Sequence, residues 1–356
     1  MKRIGILTFH QALNYGAVLQ AYALCRAVSD NCPDVKAEIV DYRCPYLSDV
    51  YGLSGQKRKK LIRTLLASGN YLVKKKRFCS FRKKHLPVSP ERYGRGSVKA
   101  AVPGYDCFIV GSDQVWNPEL TNNDLNYFLH FAPPCKRFSY AASVGSDKLD
   151  PDISKVIAGD LRRFRTVSVR EKSAKAFIDS IAGDNAAQVH IDPTLLLSKR
   201  EWEKLCGGKR SSGYILVYSV KYSQRLIDEA LRLAAKKGLK VLCVGQYRKN
   251  RGVKYIHAPD CGRLLSLFRN ADYVFTNSFH GTAFSVIFER QFCSMPDIKD
   301  DKKIRILDLL SLLDLNDRTS PGNIDTQIPW KKVRGTVQRE RDKSLEYLRR
   351  IADNGE

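Results

Sequence analysis

The chain of 356 residues lacks the features that mark membrane and secreted proteins. No apolar run approaches the roughly 18 to 20 residues that a membrane-spanning helix needs. The N-terminal residues 1–9 lead directly into a short strand pattern with no small-residue cleavage site, so we expect no signal peptide. The sequence predicts a cytoplasmic protein.

The sequence also lacks any cysteine spacing that is typical of a metal site. Its ten cysteines are scattered, mostly in apolar runs, and no C-x-x-C pair is present. We interpret them as reduced, buried small residues and expect no structural metal.

No G-x-G-x-x-G fingerprint, helix-turn-helix or zinc-finger pattern is present, and no internal repeat interrupts the chain. A dinucleotide cofactor is therefore unsupported, and we expect no nucleic-acid partner. Acidic residues are few, since 61 Lys and Arg against 37 Asp and Glu give a formal net charge of +24. Such a charge favours an anionic partner, such as a phosphorylated substrate or an acidic membrane surface.

Residues 57–84 contain twelve Lys or Arg and no acid. Leu61, Ile62, Leu65 and Leu66 recur there at helical spacing, which predicts a basic amphipathic helix. Such a helix can lie on anionic lipid, so we expect peripheral contact with the inner face of the membrane. The alternative is a solvated helical face packed on the domain.

Strand-like and helix-like segments alternate along the chain, the pattern of parallel sheets with helices on both faces. Two series of strands, separated near residues 198–212, predict an α/β fold of two Rossmann-like domains that face each other across a cleft. The predicted parts are an N-terminal domain over 1–200 with a basic helical insertion at about 55–90, a C-terminal domain over 210–330, and a final helix over 331–356 that returns to the first domain.

His280 is the strongest candidate for chemistry. The β-branched and aromatic run 273–276 predicts a strand, and a helix-like apolar pattern follows His280 and Gly281. Ligands bind parallel sheets at the carboxyl ends of their strands, and histidine suits proton transfer at neutral pH. The alternative is a histidine that caps the helix or lies in a polar crevice.

Polar residues also follow several strands predicted in the first series. Asn14 and Gly16 precede a helix whose N-terminal N–H groups can bind an anion. Asp113 can orient a base or bind a sugar hydroxyl, and Trp116 can stack on a sugar face. A turn cap and a core aromatic are the alternatives for these two residues.

Three further strand ends carry candidates for substrate binding. Ser143 follows one strand among small residues, and Arg170 follows another at a helix start, where it can bind phosphate or carboxylate. An ion pair with Glu171 is the alternative for Arg170. Lys221 can supply a phosphate contact at the start of the second series, with Ser223 as a helix cap.

Six short segments that combine these residues follow one another along the chain: Asn14–Gly16, Gly111–Asn117, Tyr140–Gly145, Ser168–Glu171, Asp192–Leu195 and Asn277–Gly281. In this order and spacing they resemble the polysaccharide pyruvyl transferase family, over about residues 3 to 295. The resemblance implies a GT-B-like fold and transfer of a pyruvyl group from phosphoenolpyruvate to a sugar as a cyclic ketal, with no cofactor and no metal. It also implies a role in exopolysaccharide, capsule or cell-wall polymer synthesis, on polymeric or lipid-linked acceptors.

We assign His280 as the general acid or base, a role that the resemblance supports, and we expect Asp113 to orient it or an acceptor hydroxyl. Arg170 is the first candidate for binding the phosphate or carboxylate of phosphoenolpyruvate. The other predicted substrate-binding residues are Asn14, Gly16, Trp116, Ser143, Lys221, Ser278 and Gly281.

One position departs from the family pattern. Many members carry a basic residue two positions before the histidine, where this chain has Ser278. The departure removes one cation that the family pattern would place against the phosphate of the donor, so it affects both that contact and the identification of phosphoenolpyruvate as the donor. The alternatives are a GT-B-like glycosyltransferase that uses a nucleotide sugar, and a non-catalytic protein that binds anionic glycan precursors.

Overall fold

A computed structural model describes residues 1–47, 61–145, 151–184, 186–208, 211–245, 250–297 and 303–353 of the chain. The side chains of residues 61–70 and 151–153 are outside this description. The chain divides into two compact units: unit 1 comprises Met1–Thr64, Phe81–Leu196 and Arg339–Glu356, and unit 2 comprises Leu65–Ser80 and Leu197–Gln338.

A parallel five-stranded sheet in the order β3-β2-β1-β4-β5 forms the centre of unit 1. Its strands are β1 (Lys2–Leu7), β2 (Val35–Tyr42), β3 (Val88–Tyr93), β4 (Cys107–Val110) and β5 (Arg137–Ser139). Two further strands, β6 (Val167–Val169) and β7 (Ala187–Val189), pair with each other, and isolated parallel bridges join β6 to the region of β5. All four residues of β4 are buried, as expected for a parallel strand that is covered on both faces.

Unit 2 has a second parallel sheet, in the order β10-β9-β8-β11-β12. Its strands are β8 (Tyr214–Ser219), β9 (Lys240–Gly245), β10 (Val253–Tyr255), β11 (Tyr273–Thr276) and β12 (Gln291–Ser294). When the strands of each sheet are numbered by their order in the sequence, both sheets read 3-2-1-4-5, which is the Rossmann-like order. In both, ligands are expected at the carboxyl ends of the strands.

Helices connect the strands of both sheets. In unit 1 they include α1 (Tyr15–Asn31), α3 (Pro118–Thr121), α4 (Pro151–Leu161) and α5 (Lys172–Ala182). In unit 2 they include α6 (Lys199–Glu203), α7 (Gln224–Lys237), α8 (Cys261–Asn270), α9 (Phe279–Ile287) and α10 (Lys303–Leu312). Helices α2 (Leu61–His85) and α11 (Trp330–Asp353) each have residues in both units. No helix in the described part of the chain is long and apolar enough to cross a membrane.

The α/β class and the parallel sheets predicted from the sequence are confirmed. The sequence analysis missed β3, whose sequence VSPERY contains Pro90. Proline cannot donate to a ladder and is tolerated on an edge strand, which is the position of β3 in the sheet. Pairing with β2, rather than a local apolar pattern, makes this segment a strand.

The C-terminal part of α11 packs on unit 1, as predicted for the final helix. The Tyr347 hydroxyl donates to the Thr166 hydroxyl at 2.8 Å and lies 3.0 Å from the Ser139 carbonyl oxygen. The Tyr347 ring packs on buried His190 with ring centroids 4.3 Å apart. Burial lowers the pKa of His190 to about 3, with a smaller effect of Lys343, so this histidine is a neutral core residue.

The basic segment requires a correction. It was predicted as an insertion in the first domain, but Leu65–Ser80 belongs to unit 2. The Arg77 guanidinium donates to the carbonyl oxygen of Ala258 at 2.6 Å, which attaches this stretch to the segment before α8. The predicted apolar stripe 61–66 lies outside the described side chains.

Gly111 offers a test of how closely the strand ends approach one another. Its φ is +136°, and a Cβ there would lie 2.0 Å from the Tyr140 carbonyl oxygen. We expect Gly111→Ala to lower the free energy of unfolding by at least about 2 kcal/mol, because both the backbone conformation and this contact resist a side chain. Urea denaturation measures the change.

Gly159→Ala in α4 is the matched control, since a Cβ there meets nothing within 4 Å. It is expected to raise the free energy of unfolding by up to about 1 kcal/mol, as alanine does in a helix. Equal effects of the two substitutions would contradict this account of the strand ends.

Candidate functional site

Three strand-end segments of unit 1 lie side by side. Asp113 forms a parallel bridge with Ala142, which forms another with Val169. The Ser143 backbone N–H also donates to the Asp113 carbonyl oxygen at 3.0 Å. The structure therefore brings Asp113, Ser143 and Arg170, three of the predicted site residues, to one edge of the sheet.

Arg170 is a buried cation in this edge. Its Nη1 donates to Asp192 Oδ2 at 2.8 Å, and its Nε donates to Glu171 Oε2 at 3.3 Å. Burial alone lowers the pKa of Arg170, but the carboxylates of Glu171, Asp192 and Asp113 outweigh that effect and raise it above its ordinary value. The ion pair with Glu171 that was the alternative in the sequence analysis is present, and Asp192 extends it.

Asp192 and Glu171 connect Arg170 to the neighbouring segments. Ser143 donates its hydroxyl to Glu171 Oε1, and Ser112 donates its hydroxyl to Asp192 Oδ2 at 3.3 Å. The Ser112 N–H donates to Oε1 of Gln20 on α1 at 3.3 Å. A single network thus fixes the strand ends and α1 around the guanidinium.

Asp113 has a backbone conformation that is uncommon for residues other than glycine. Its φ is +65°, and its side chain is buried. Asp and Asn are the L-residues that best tolerate this region, and such strain is typical of functional sites. Gly145 lies close by in the same edge, where a Cβ would be 2.6 Å from Asn117 Nδ2 and 2.0 Å from Gln114 Nε2.

Asn14 and Gly16 lie at the start of α1. The Asn14 side chain accepts from the Gly16 N–H at 2.9 Å and from the Ala17 N–H at 3.4 Å, so it caps the helix. The structure gives Asn14 a capping role in addition to the predicted role at an anion-binding helix start.

Trp116 is a core residue, and the prediction that it stacks on a sugar is corrected. It is 1% exposed, its ring stacks on Phe128 with centroids 5.4 Å apart, and its Nε1 donates to the Tyr127 carbonyl oxygen at 2.8 Å. A short motif does not reveal which side chains pack on the two faces of the indole ring. The sequence therefore could not decide between a core role and a sugar-stacking role.

The second group of predicted residues lies in unit 2, where β11 leads into α9. Ser278 is the N-cap of α9, with its hydroxyl accepting from the Gly281 N–H at 3.4 Å. His280 lies in the first turn of that helix and is 8% exposed. The strand, turn and helix predicted around His280 are therefore present, and its ring lies where the helix dipole is positive.

Gly281 has a packing role. A Cβ there would lie 2.1 Å from Thr276 Oγ1, so only glycine lets α9 pack this closely on the end of β11. The substrate binding expected of Gly281 stays a prediction beside this packing role.

Lys221 is connected to the same region by Asn277, a residue that the sequence analysis did not select. Asn277 Nδ2 donates to the Lys221 carbonyl oxygen at 2.8 Å, and Asn277 Oδ1 accepts from the Val220 N–H at 3.0 Å. The amide therefore holds the turn after β8 beside the start of α9. The exposed side chain of Lys221 lies on that turn.

The predicted residues thus form two groups, one in each unit. Sequence reasoning missed Asp192 and Asn277 as site residues, although both are in the six segments of the resemblance. It weighed Glu171 only as an alternative partner of Arg170. In the described part of the chain, no cluster of His, Cys, Asp and Glu is placed to hold a metal ion.

All six segments of the resemblance lie within the residues that a family model matches. The family model for polysaccharide pyruvyl transferase matches residues 14–296. The chain belongs to the polysaccharide pyruvyl transferase family. No curated protein matches this member of the family.

Solved structures show the fold of this pyruvyl transferase family member. The UDP-GlcNAc 2-epimerase of Methanocaldococcus jannaschii is similar with a TM-score of 0.50 at 11% identity, over 95% of this chain and 92% of that chain. The UDP-N-acetylglucosamine 2-epimerase of Rickettsia bellii gives 0.47 at 10% identity, over 99% and 98%. The E. coli heptosyltransferase WaaC with ADP gives 0.40 at 10% identity, over 85% and 90%. The likeness to the Methanocaldococcus jannaschii enzyme, at 11% identity, concerns the fold alone, which is GT-B-like.

Removal of the buried guanidinium tests the network in unit 1. We expect Arg170→Met to lower the free energy of unfolding by about 3 to 5 kcal/mol, because the carboxylates of Glu171 and Asp192 lose their counterion while buried. Adding Asp192→Asn should recover part of this loss. Chemical denaturation of the wild type, of Arg170→Met and of the double variant measures these free energies of unfolding.

Arg163→Met, at an exposed arginine of the same unit, is the control and should change stability by less than about 0.5 kcal/mol. If Arg170→Met costs no more than this control, the network does not hold the strand ends together.

Proposed function

We propose that the protein transfers the pyruvyl group of phosphoenolpyruvate to a sugar of a polysaccharide or of its lipid-linked precursor and forms a pyruvate ketal. One observation carries the proposal: the chain belongs to the pyruvyl transferase family, and the histidine of its Asn277–Gly281 segment lies in the first turn of α9. The other residues of each group are assigned roles in substrate binding within their own unit.

The start of α9 suits an anionic donor. The first turn of a helix has N–H groups without intrahelical partners, and its dipole favours negative charge. In this member Ser278 caps the helix where many relatives have a basic residue, so a cation must come from elsewhere. We assign that role to Lys221, which lies on the turn that Asn277 holds beside α9.

The proposed reaction moves two protons. The methylene carbon of phosphoenolpyruvate gains a proton, a first sugar hydroxyl adds to the adjacent carbon, phosphate leaves, and a second hydroxyl adds to close the ketal. Of the two protons that the hydroxyls release, one balances the new methyl group and the other leaves with phosphate. His280 is proposed to accept a hydroxyl proton and to deliver one to the methylene carbon, as a general acid and base.

The edge of unit 1 supplies the proposed contacts to substrate oxygens. Asp113 has an oxygen that can accept from a sugar hydroxyl, and its bridge to Ala142 keeps it beside the neighbouring strand end. Ser143 and Arg170 are assigned to the same edge. Because Arg170 also holds two carboxylates, we propose that it orients this edge as well as attracting the anionic donor.

The family supports a polysaccharide acceptor in general, and we propose that the acceptor is used during assembly of an exopolysaccharide, capsule or cell-wall polymer. The net charge of +24 suits substrates that carry phosphate, such as phosphoenolpyruvate or a lipid-linked precursor. No cofactor is included in the proposal, since the donor itself supplies the group and the leaving phosphate.

Substitution of His280 tests the proposed chemistry. With phosphoenolpyruvate and a panel of free and lipid-linked saccharides, we expect His280→Gln to slow phosphate release by about 10²- to 10⁴-fold, the usual contribution of general acid–base catalysis. The ketal methyl group, detected by NMR, confirms the product. Thermal unfolding should show that the variant is folded.

His130→Gln is the matched control, because His130 is a half-exposed histidine of unit 1 that pairs with Asp160 at 3.0 Å. It should leave the rate unchanged. Transfer from a nucleotide sugar instead of phosphoenolpyruvate would replace the proposal with a glycosyltransferase. Saccharide binding that His280→Gln leaves intact, without turnover of either donor, would identify a non-catalytic glycan-binding protein.

A further inference from the structure

The described part of α2 has one face that is exposed to solvent. Leu72, Lys75, Lys76, Cys79 and Lys83 follow one another at spacings of three or four residues and are all exposed. Residues at these spacings lie on one side of a helix. We call this side the lysine face.

The opposite side of α2 is packed against the protein. Phe78 is fully buried and Phe81 is 8% exposed, and the Phe81 ring contacts the Tyr22 ring with centroids 6.2 Å apart. Burial lowers the pKa of Lys74, whose Nζ lies 5.5 Å from the centroid of the Phe78 ring. This packing fixes the rotation of the helix, so the lysine face points to solvent.

The charge of the lysine face is not neutralised by any ion pair among the described residues. Within the described residues, Lys75, Lys76 and Lys83 form no ion pair, and neither does the neighbouring Lys84. The stretch 57–84 contains no acidic residue at all. A face of this kind attracts a surface that carries many negative charges.

The same region also exposes apolar side chains. Leu72 is 60% exposed and Val73 is 44% exposed, and among the described large hydrophobic residues only Met1 is more exposed than Leu72. Apolar and basic side chains on one exposed helix face fit the interface of an anionic lipid bilayer, where lysines meet headgroups and leucine reaches the acyl boundary.

We propose that the lysine face of α2 docks the protein on an anionic membrane surface with the helix lying in the interface. Docking would bring the enzyme to a lipid-linked acceptor in the membrane. This benefit of docking is the only part of the inference that rests on the proposed function. Docking itself needs neither phosphoenolpyruvate nor acceptor, so it is measured without them.

Vesicle co-sedimentation of the full chain tests the proposal. The wild type is expected to sediment with vesicles of phosphatidylcholine and phosphatidylglycerol and to remain in solution with phosphatidylcholine alone. The triple substitution Lys75→Glu, Lys76→Glu and Lys83→Glu should weaken binding by about 100-fold or more, since each basic residue near such a surface strengthens binding about fivefold. Leu72→Ser should weaken it by about 3- to 10-fold.

The control carries the same change of net charge elsewhere. Lys99, Lys204 and Lys254 are exposed lysines outside α2, and their triple substitution to Glu should leave most of the binding intact. Equal loss in the two triple variants would show a general effect of charge and would overturn the assignment to α2. Binding to phosphatidylcholine alone would overturn the anionic requirement.

Two exposed cysteines permit a direct measurement of which surface meets the lipid. Cys79 lies on the lysine face, and Cys135 lies in unit 1. An environment-sensitive fluorophore on Cys79, in a Cys135→Ser background, should shift to shorter wavelength on vesicles. The same fluorophore on Cys135, in a Cys79→Ser background, should not.

A shift at Cys135 alone would overturn the proposal, and so would tighter binding of an RNA oligonucleotide than of anionic vesicles through the same lysines. Pyruvyl transfer to a soluble saccharide should be unaffected by the triple substitution in α2. Failure of docking and failure of the proposed reaction are therefore separate results.

Discussion

The ion pairs of one buried arginine organise the candidate site in unit 1. Arg170 lies after β6 and contacts Asp192 and Glu171, which in turn accept from serines on the segments after β4 and β5. A buried guanidinium has a high desolvation cost and is retained only where carboxylates compensate it. The strand ends therefore adopt one arrangement, in which Asp113 lies at the sheet edge with a positive φ.

Close backbone contacts have the corresponding role in unit 2. Gly245 has a φ of +125° and a Cβ there would lie 1.7 Å from the Ser219 carbonyl oxygen, just as Gly111 approaches Tyr140 in unit 1. Gly281 brings α9 onto the end of β11 and so sets the position of His280. In each unit the candidate residues thus lie at the carboxyl edge of a 3-2-1-4-5 sheet, where the Rossmann-like topology leads one to expect ligands. The chemistry of the two edges differs, since ion pairs dominate the first and a helix N-terminus the second.

Much of the fold was predictable from local sequence patterns. Apolar runs that end at glycine or polar residues predicted nearly all the strands, and the segment around His280 correctly predicted a strand, a turn and a helix. What the local patterns left undecided depends on tertiary contacts. Trp116 is a core residue because Phe128 stacks on it, and Arg170 is an ion-paired residue because Asp192, 22 positions later, reaches it. Neither partner is identifiable from the sequence alone. The assignment of Leu65–Ser80 to unit 2 likewise depends on long-range contacts, such as that between Arg77 and Ala258.

The most direct test of the central claim is a calorimetric titration of the wild-type protein with phosphoenolpyruvate and, separately, with a set of nucleotide sugars, because it requires no knowledge of the acceptor. The account predicts saturable binding of phosphoenolpyruvate that weakens with added salt, and no binding of the nucleotide sugars. Saturable binding of a nucleotide sugar, with none of phosphoenolpyruvate, would contradict it.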